Sequence, residues 1–137
     1  MTVNRSSKLH RKSGWGRAMN YLDQQTLDEL LDILGEDDLH AITSGFVAQL
    51  DAELHDLAQC CNQADLPGVA RIAHSLKGGA GNLGASVLSV AAATLERHAR
   101  VGDSATVGTV MTGLPEIVRN TVAELRQGGY TPPALQG

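Results

Sequence analysis

Between Leu27 and Leu125 the apolar residues return at three- and four-residue intervals through five successive stretches, and none alternates with period two. Such a chain can bury its apolar side as packed helices but not as a sheet, because a strand sends successive side chains to opposite faces. The first stretch, capped by Asp23, carries Leu27, Leu30, Leu31 and Leu34 and ends at Gly35. The second, capped by Asp37 or Asp38, carries Ile42, Phe46, Leu50, Leu54, Leu57 and Cys61 to about residue 63. Its other side (Asp51, Glu53, His55, Asp56) is solvated. Asp65 and Pro67 supply the cap and first-turn proline of the third, which turns at Leu83-Gly84. The fourth covers Ala85 to Val101, with Leu88, Ala91, Ala92, Leu95 and Ala99 on one face. After the loop Gly102-Asp103-Ser104, the fifth runs from Ala105 to Gln127, with Val107, Val110, Met111, Leu114, Val118, Val122 and Leu125. This stripe keeps phase across Pro115, which predicts one kinked helix rather than two. The expected architecture is all-α: an up-down antiparallel four-helix bundle with a short additional N-terminal helix.

With 137 residues the chain has room for one domain and a modest core. One Trp, two Tyr and one Phe leave the core to Ala, Leu and Val, which suits closely packed helices. Residues 1–22 hold Arg5, Lys8, Arg11, Lys12 and Arg17 and no acid, and read as a flexible basic tail. The six other bases stand against fifteen acids, so the remainder carries −9. An acidic body argues against nucleic acid as the partner. The expected domain spans 23–128, with 129–137 as a C-terminal tail. Cys60 and Cys61 are neighbours whose side chains diverge on a helix, and no second pair completes a disulfide framework or zinc site. No run reaches the roughly 20 apolar residues of a membrane span, and no apolar core follows the basic start as in a secretory signal. The expected location is the cytoplasm, away from the membrane.

The third stretch carries the chemistry. At about 100° per residue, Val69, Ile72, Ala73, Leu76, Gly79, Ala80 and Leu83 fall on one side. His74, Lys77, Gly78 and Gly81 fall on the other, flanked by Arg71. An imidazole thus points into solvent, with an ammonium and two residues lacking side chains beside it. Each glycine costs a helix about 1 kcal/mol relative to alanine. Close packing accounts for Gly79, whereas Gly78 and Gly81 make sense if a partner's surface must descend beside His74. Imidazole titrates near pH 6.5 in its reference state, so at neutral pH much of a solvated histidine is the nucleophilic neutral form.

Competing motifs fail on context. Gly79-Ala80-Gly81-Asn82-Leu83-Gly84 matches a dinucleotide fingerprint, but it follows helical pattern where that fingerprint needs a strand. Lys77 precedes the glycines, whereas a Walker loop needs its lysine after them. His10, His40, His55, His74 and His98 include no i, i+4 pair for a metal. Ser75 sits about 100° from His74 around the helix, and no obvious third residue orients a base.

Ala73-His74-Ser75-Leu76-Lys77-Gly78, followed by Asn82-Leu83-Gly84-Ala85, resembles the histidine-containing phosphotransfer (HPt) domains of bacterial multistep phosphorelays. The likeness extends more loosely from about Asp23 to Gln127. It implies a four-helix bundle without kinase activity of its own, whose histidine takes a phosphoryl group from a receiver-domain aspartate and passes it to another receiver. His74 is then the phosphorylated residue, Lys77 the assisting cation, and Gly78 the position kept small for the receiver. Arg71 helps from the preceding turn, and magnesium comes with the receiver, since no oxygen-ligand cluster adjoins His74. The partners implied are response-regulator receivers and a hybrid sensor histidine kinase.

Glu96 follows from register. If the chain reverses near Ala85, His74 lies eleven residues before it and Glu96 eleven after, at one level of an antiparallel pair. Glu96 then accepts from the second ring nitrogen and fixes the tautomer, or it is a surface glutamate paired with Arg100 four residues on. Both readings stay open. Two other functions also remain: a helical adaptor that docks partners without chemistry, and an HPt fragment of a hybrid kinase.

Overall fold

The computed structural model describes residues 20–131, and the basic segment before them lies outside the described residues. Five helices follow one another: α1 (Gln24–Leu34), α2 (Glu36–Asn62), α3 (Leu66–Asn82), α4 (Ser86–Arg100) and α5 (Ser104–Gln127). No strand occurs among the described residues. The last four close a ring in which α2 packs on α3, α3 on α4, α4 on α5 and α5 back on α2, while α1 lies against α2. The all-α bundle with a short leading helix is as expected.

Local signals set most of the helix ends. The Asp23 carboxylate accepts from the Gln25 amide at 3.2 Å, Asp65 from Gly68 at 2.9 Å and Asp103 from Thr106 at 3.1 Å. Each satisfies an amide left free by the first helical turn. The start of α2 differs from expectation: Gly35 occupies the cap with φ +83°, and Glu36, Asp37 and Asp38 form the first turn. A glycine with positive φ and extended ψ already breaks the chain there, and no side chain caps the helix. The three acids instead face the positive end of the α2 dipole. Pro115 sits on the exposed side of an uninterrupted α5.

The core runs between the four ring helices. Leu50 and Leu57 of α2, Val69, Ala73 and Leu76 of α3, Leu88, Ala92 and Leu95 of α4, and Val107 and Leu114 of α5 are all buried. Fully burying one such leucine is worth about 1.5–3 kcal/mol. Two apolar positions are corrected. Ile42 is 47 % exposed and Thr43 turns inward in its place, its hydroxyl 2.5 Å from the carbonyl oxygens of Leu39 and Tyr130. Leu31 lies 40 % exposed, on a helix whose main packing partner is α2.

The expected tails reach into the fold at both ends. Leu22 packs against the core, and the Tyr21 amide donates to the Glu124 carboxylate at 3.0 Å. Beyond α5, the Gly129 carbonyl lies 2.6 Å from His40 Nε2, and Thr131 is buried.

The reversal between α3 and α4 is the turn that positions the site. Gly84 holds φ +76°, and the Ala85 amide donates to Ala80 O at 2.8 Å. A side chain on Gly84 would press on Thr26 and on the Asp23 carbonyl, so glycine serves both the backbone angle and the close approach of α1. The Asp23 amide donates to Gly84 O at 2.6 Å, which ties the entrance of α1 to this turn.

Candidate functional site

His74 sits in the middle of α3 with its side chain 64 % exposed, opposite the buried Ala73, Leu76 and Ala80. The antiparallel register brings α4's Glu96 alongside, with His74 Nδ1 to Glu96 Oε2 at 2.9 Å. The ring contact of the first reading of Glu96 is present, and the second reading is met only in its pairing. Glu96 does pair with Arg100, Nη2 to Oε2 at 2.5 Å, but it is buried rather than a surface residue, its side chain 5 % exposed. Lys77 Nζ completes the cluster, 2.7 Å from Glu96 Oε1.

One buried carboxylate thus serves two cations and an imidazole. The Lys77 hydrogen bond above all, then the His74 bond and the Arg100 charge, hold the Glu96 carboxyl below the usual glutamate range despite the opposing effect of burial. An ionised carboxylate can only accept hydrogen bonds. Nδ1 therefore carries the ring hydrogen and donates it to Glu96, and in the neutral ring Nε2 keeps a free lone pair directed at solvent. With Glu96 ionised, Lys77 and Arg100 leave a net charge of +1 beside that nitrogen.

The three glycines differ in their reasons. A Cβ on Gly78 would meet nothing within 4 Å, so the fold places no demand for glycine there. Gly78→Ala is accordingly expected to raise the stability of the isolated protein by up to about 1 kcal/mol, read from the urea midpoint at unchanged slope. At Gly79 a Cβ would stand 3.7 Å from Phe46, an ordinary contact, so close packing does not require this glycine, contrary to expectation. Gly81 faces α4, where a Cβ would sit 3.3 Å from Ser89 Oγ. Past it the Ser89 hydroxyl donates to Lys77 O at 3.2 Å, so Gly81 has a reason within the fold beside any partner-facing one.

Arg71 is exposed one turn before His74 and rims a shallow hollow with Pro67, Ala70, Ala99 and Arg100. Among the described residues it has no ion-pair partner. Reading the sequence missed Ser89, for which no periodic signal exists. Arg100 was visible only as the i+4 neighbour of Glu96. The other histidines lie apart: His55 is exposed, His40 contacts Gly129 O, and His98 Nδ1 meets Asp103 Oδ2 at 3.0 Å. His10 lies outside the described residues. Among the described residues no three His, Cys, Asp or Glu side chains gather to hold a metal ion, and no helix is long and apolar enough to cross a membrane. Cys60 and Cys61 are free and half-buried.

The comparisons with known proteins agree with this geometry. The fold resembles the crystal structure of histidine-containing phosphotransfer protein B (HptB) from Pseudomonas aeruginosa, with a TM-score of 0.77 over 82 % of this chain and 96 % of that one, at 24 % identity. Over 109 residues, 80 % of the chain, it is 30 % identical to part of the sensor histidine kinase AruS of Pseudomonas aeruginosa. That match spans only 11 % of the kinase's length. The model of the Hpt domain family matches residues 20–128, nearly the whole described bundle. The chain belongs to the Hpt domain family, the histidine phosphotransfer intermediates of phosphorelays.

Proposed function

We propose that His74 is the phosphoryl carrier, taking the group from a receiver-domain aspartyl phosphate and yielding it to a second receiver aspartate. The observation that carries this reading is the His74–Glu96 bond, which puts the hydrogen of the neutral ring on Nδ1 and leaves the lone pair on Nε2, on an open face of the bundle. Nε2 attacks phosphorus in line as the bond to the aspartate oxygen breaks. The aspartate departs as a carboxylate and an N–P bond forms. The ring gains positive charge in this step, and Glu96 stabilises it through Nδ1–H as a buried carboxylate steadies a catalytic imidazolium. Return of the group to a second aspartate reverses each event.

Lys77 holds Glu96 ionised and, one turn from His74, is within a side-chain rotation of the phosphoryl oxygens. Arg71, exposed and unpaired among the described residues, faces the approaching receiver from the preceding turn. Magnesium belongs to the receiver: Glu96, the carboxylate that touches His74, has both oxygens occupied by nitrogen donors. Phosphoryl transfer depends mainly on positioning and charge, so the domain needs no further group. The likeness to part of AruS supports a hybrid kinase among the donors, and a cytoplasmic setting fits receivers as partners.

Single-turnover transfer from a phosphorylated receiver, followed over a range of receiver concentrations, tests this assignment. Gly78→Gln is expected to raise the half-saturating receiver concentration severalfold with little change in the limiting rate, because its side chain fills the approach path. Lys77→Ala is expected to do the opposite, lowering the limiting rate while binding stays near normal. A native concentration dependence for Gly78→Gln would show that the glycine is not there for the partner. Absence of label from every receiver tried, with the fold intact, would favour the adaptor reading.

A further inference from the structure

Lys77 cannot serve Glu96 and a phosphoryl group at the same moment. Its ammonium lies 2.7 Å from Glu96 Oε1. The phosphoryl oxygens lie beyond Nε2, across the ring from the nitrogen that meets Glu96, so the ammonium must turn away from the carboxylate to reach them. That departure has a cost, because the Glu96 side chain is only 5 % exposed. A buried carboxylate that loses its cation is left uncompensated, and burial then drives it toward the neutral acid. A neutral acid supplies no counter-charge to a ring that is turning positive. Transfer therefore needs a second cation that stays on Glu96 while Lys77 moves.

Arg100 has the geometry for this. Its Nη2 lies 2.5 Å from Glu96 Oε2, the same oxygen that accepts from His74 Nδ1 at 2.9 Å. Lys77 thus holds Oε1, while Arg100 and the ring share Oε2. Arg100 also stands one turn after Glu96 on α4, so one helix carries both the carboxylate and this cation, whereas Lys77 reaches across from α3. A guanidinium keeps its charge at any working pH and offers several N–H donors in one plane.

We propose that Arg100 is a positioning residue: it keeps Glu96 ionised and Oε2 on Nδ1–H while Lys77 moves its ammonium from Glu96 Oε1 to the phosphoryl oxygens. The inference rests on His74 as the phosphoryl carrier. No proton changes hands in the exchange. Lys77 trades one acceptor for another as the O–P bond to the receiver aspartate breaks and the Nε2–P bond forms. Glu96 keeps its charge and its bond to the ring throughout, and Lys77 returns to Oε1 when the group leaves.

Removing Lys77 imitates its departure, so the first test needs no partner. The Glu96 carboxyl is titrated by carbon-13 NMR in His74→Gln combined with Lys77→Ala, where neither an imidazolium nor the ammonium contributes. Adding Arg100→Ala is expected to raise the Glu96 pKa by about one unit or more. An unchanged value overturns the proposal. In His74→Gln combined with Arg100→Ala, where Lys77 stays to keep the fold, Glu96 is likewise expected to titrate higher than in His74→Gln alone, and no rise there also overturns it.

The second test is single-turnover transfer from a phosphorylated receiver. Arg100→Ala is expected to lower the limiting rate about tenfold, the lower end of the range for partners that orient a functional histidine, with the half-saturating receiver concentration little changed. Arg100→Lys is expected to recover part of the rate, since it keeps the charge. In Glu96→Gln there is no charge to hold, so adding Arg100→Ala is expected to change the limiting rate by less than about twofold. A tenfold loss that persists in Glu96→Gln, or a loss expressed only as weaker receiver binding, overturns the proposal in favour of direct contact between Arg100 and the receiver at the hollow it rims with Arg71. Native protein that takes no label from any receiver defeats the His74 assignment instead, and the titration still decides whether Arg100 holds Glu96 ionised.

Discussion

Replacement of His74 by glutamine is expected to abolish acid-labile, alkali-stable phosphorylation of the protein by a phosphorylated receiver, with the helical circular dichroism spectrum unchanged. The size of the effect follows from the chemistry. Glutamine retains volume and a hydrogen-bonding end but has no nitrogen lone pair able to attack phosphorus, since the amide electrons are delocalised. The fold is spared because the ring is 64 % exposed and its polar contact is to Glu96, which keeps Lys77 and Arg100 as partners. His55→Gln and His98→Gln are expected to transfer at close to the native rate, as neither ring lies in the Glu96 cluster. Phosphorylation that persists in His74→Gln at the native level sinks the assignment.

Glu96→Ala is expected to slow transfer by about 10–100-fold, the range typical when the partner that orients a ligating histidine is removed. The ring then samples both tautomers and loses its fixed direction, and the charge developing on it has no counter-ion. Lys77 and Arg100, with side chains 39 % and 62 % exposed, can turn to solvent, so the bundle should remain folded. Glu96→Gln separates the contributions. Its amide oxygen can still accept from Nδ1–H, so it is expected to recover part of the rate and to miss what the charge supplies. The same pair gives a pH test. Glu96 titrates lower in the folded protein than a free glutamate. Its contribution to stability is therefore full above the unfolded carboxyl's pKa of about 4.3 and disappears as pH falls through the folded value. Denaturant midpoints of the native protein and Glu96→Gln should differ at neutral pH and converge in acid. A constant difference down to pH 3 would refute the ionised cluster.

Much of this was legible in the residue pattern. Helix number, order and type followed from apolar period and caps, because burial of one face and satisfaction of the first-turn amides are local demands that each segment must meet. The same period placed His74 on the solvent side of α3. The level of Glu96 followed from counting eleven residues to either side of a glycine turn, since two antiparallel helices rise equally per residue. These inferences needed only helix geometry.

What the sequence could not decide were matters of which neighbour occupies a given space. Whether Glu96 was a buried anchor or a surface residue depended on how deeply the α3–α4 groove runs, which is set by Ala73, Ala92 and Ala99 letting the helices approach. That closeness places Lys77, Arg100 and His74 on a single carboxylate, an arrangement no pairwise spacing states. It also turned Gly81 into the passage for Ser89 and left Gly79 without a packing need. Thr43 displaced Ile42 from the core because the stretch beyond α5 brings a carbonyl to its hydroxyl, a contact spanning 87 residues. Periodicity along the chain determined which helical faces are apolar and where the histidine stands. Only packing of one helix against another decided the ionisation and hydrogen-bonding of the groups around it, because those depend on distances between residues that no local rule relates.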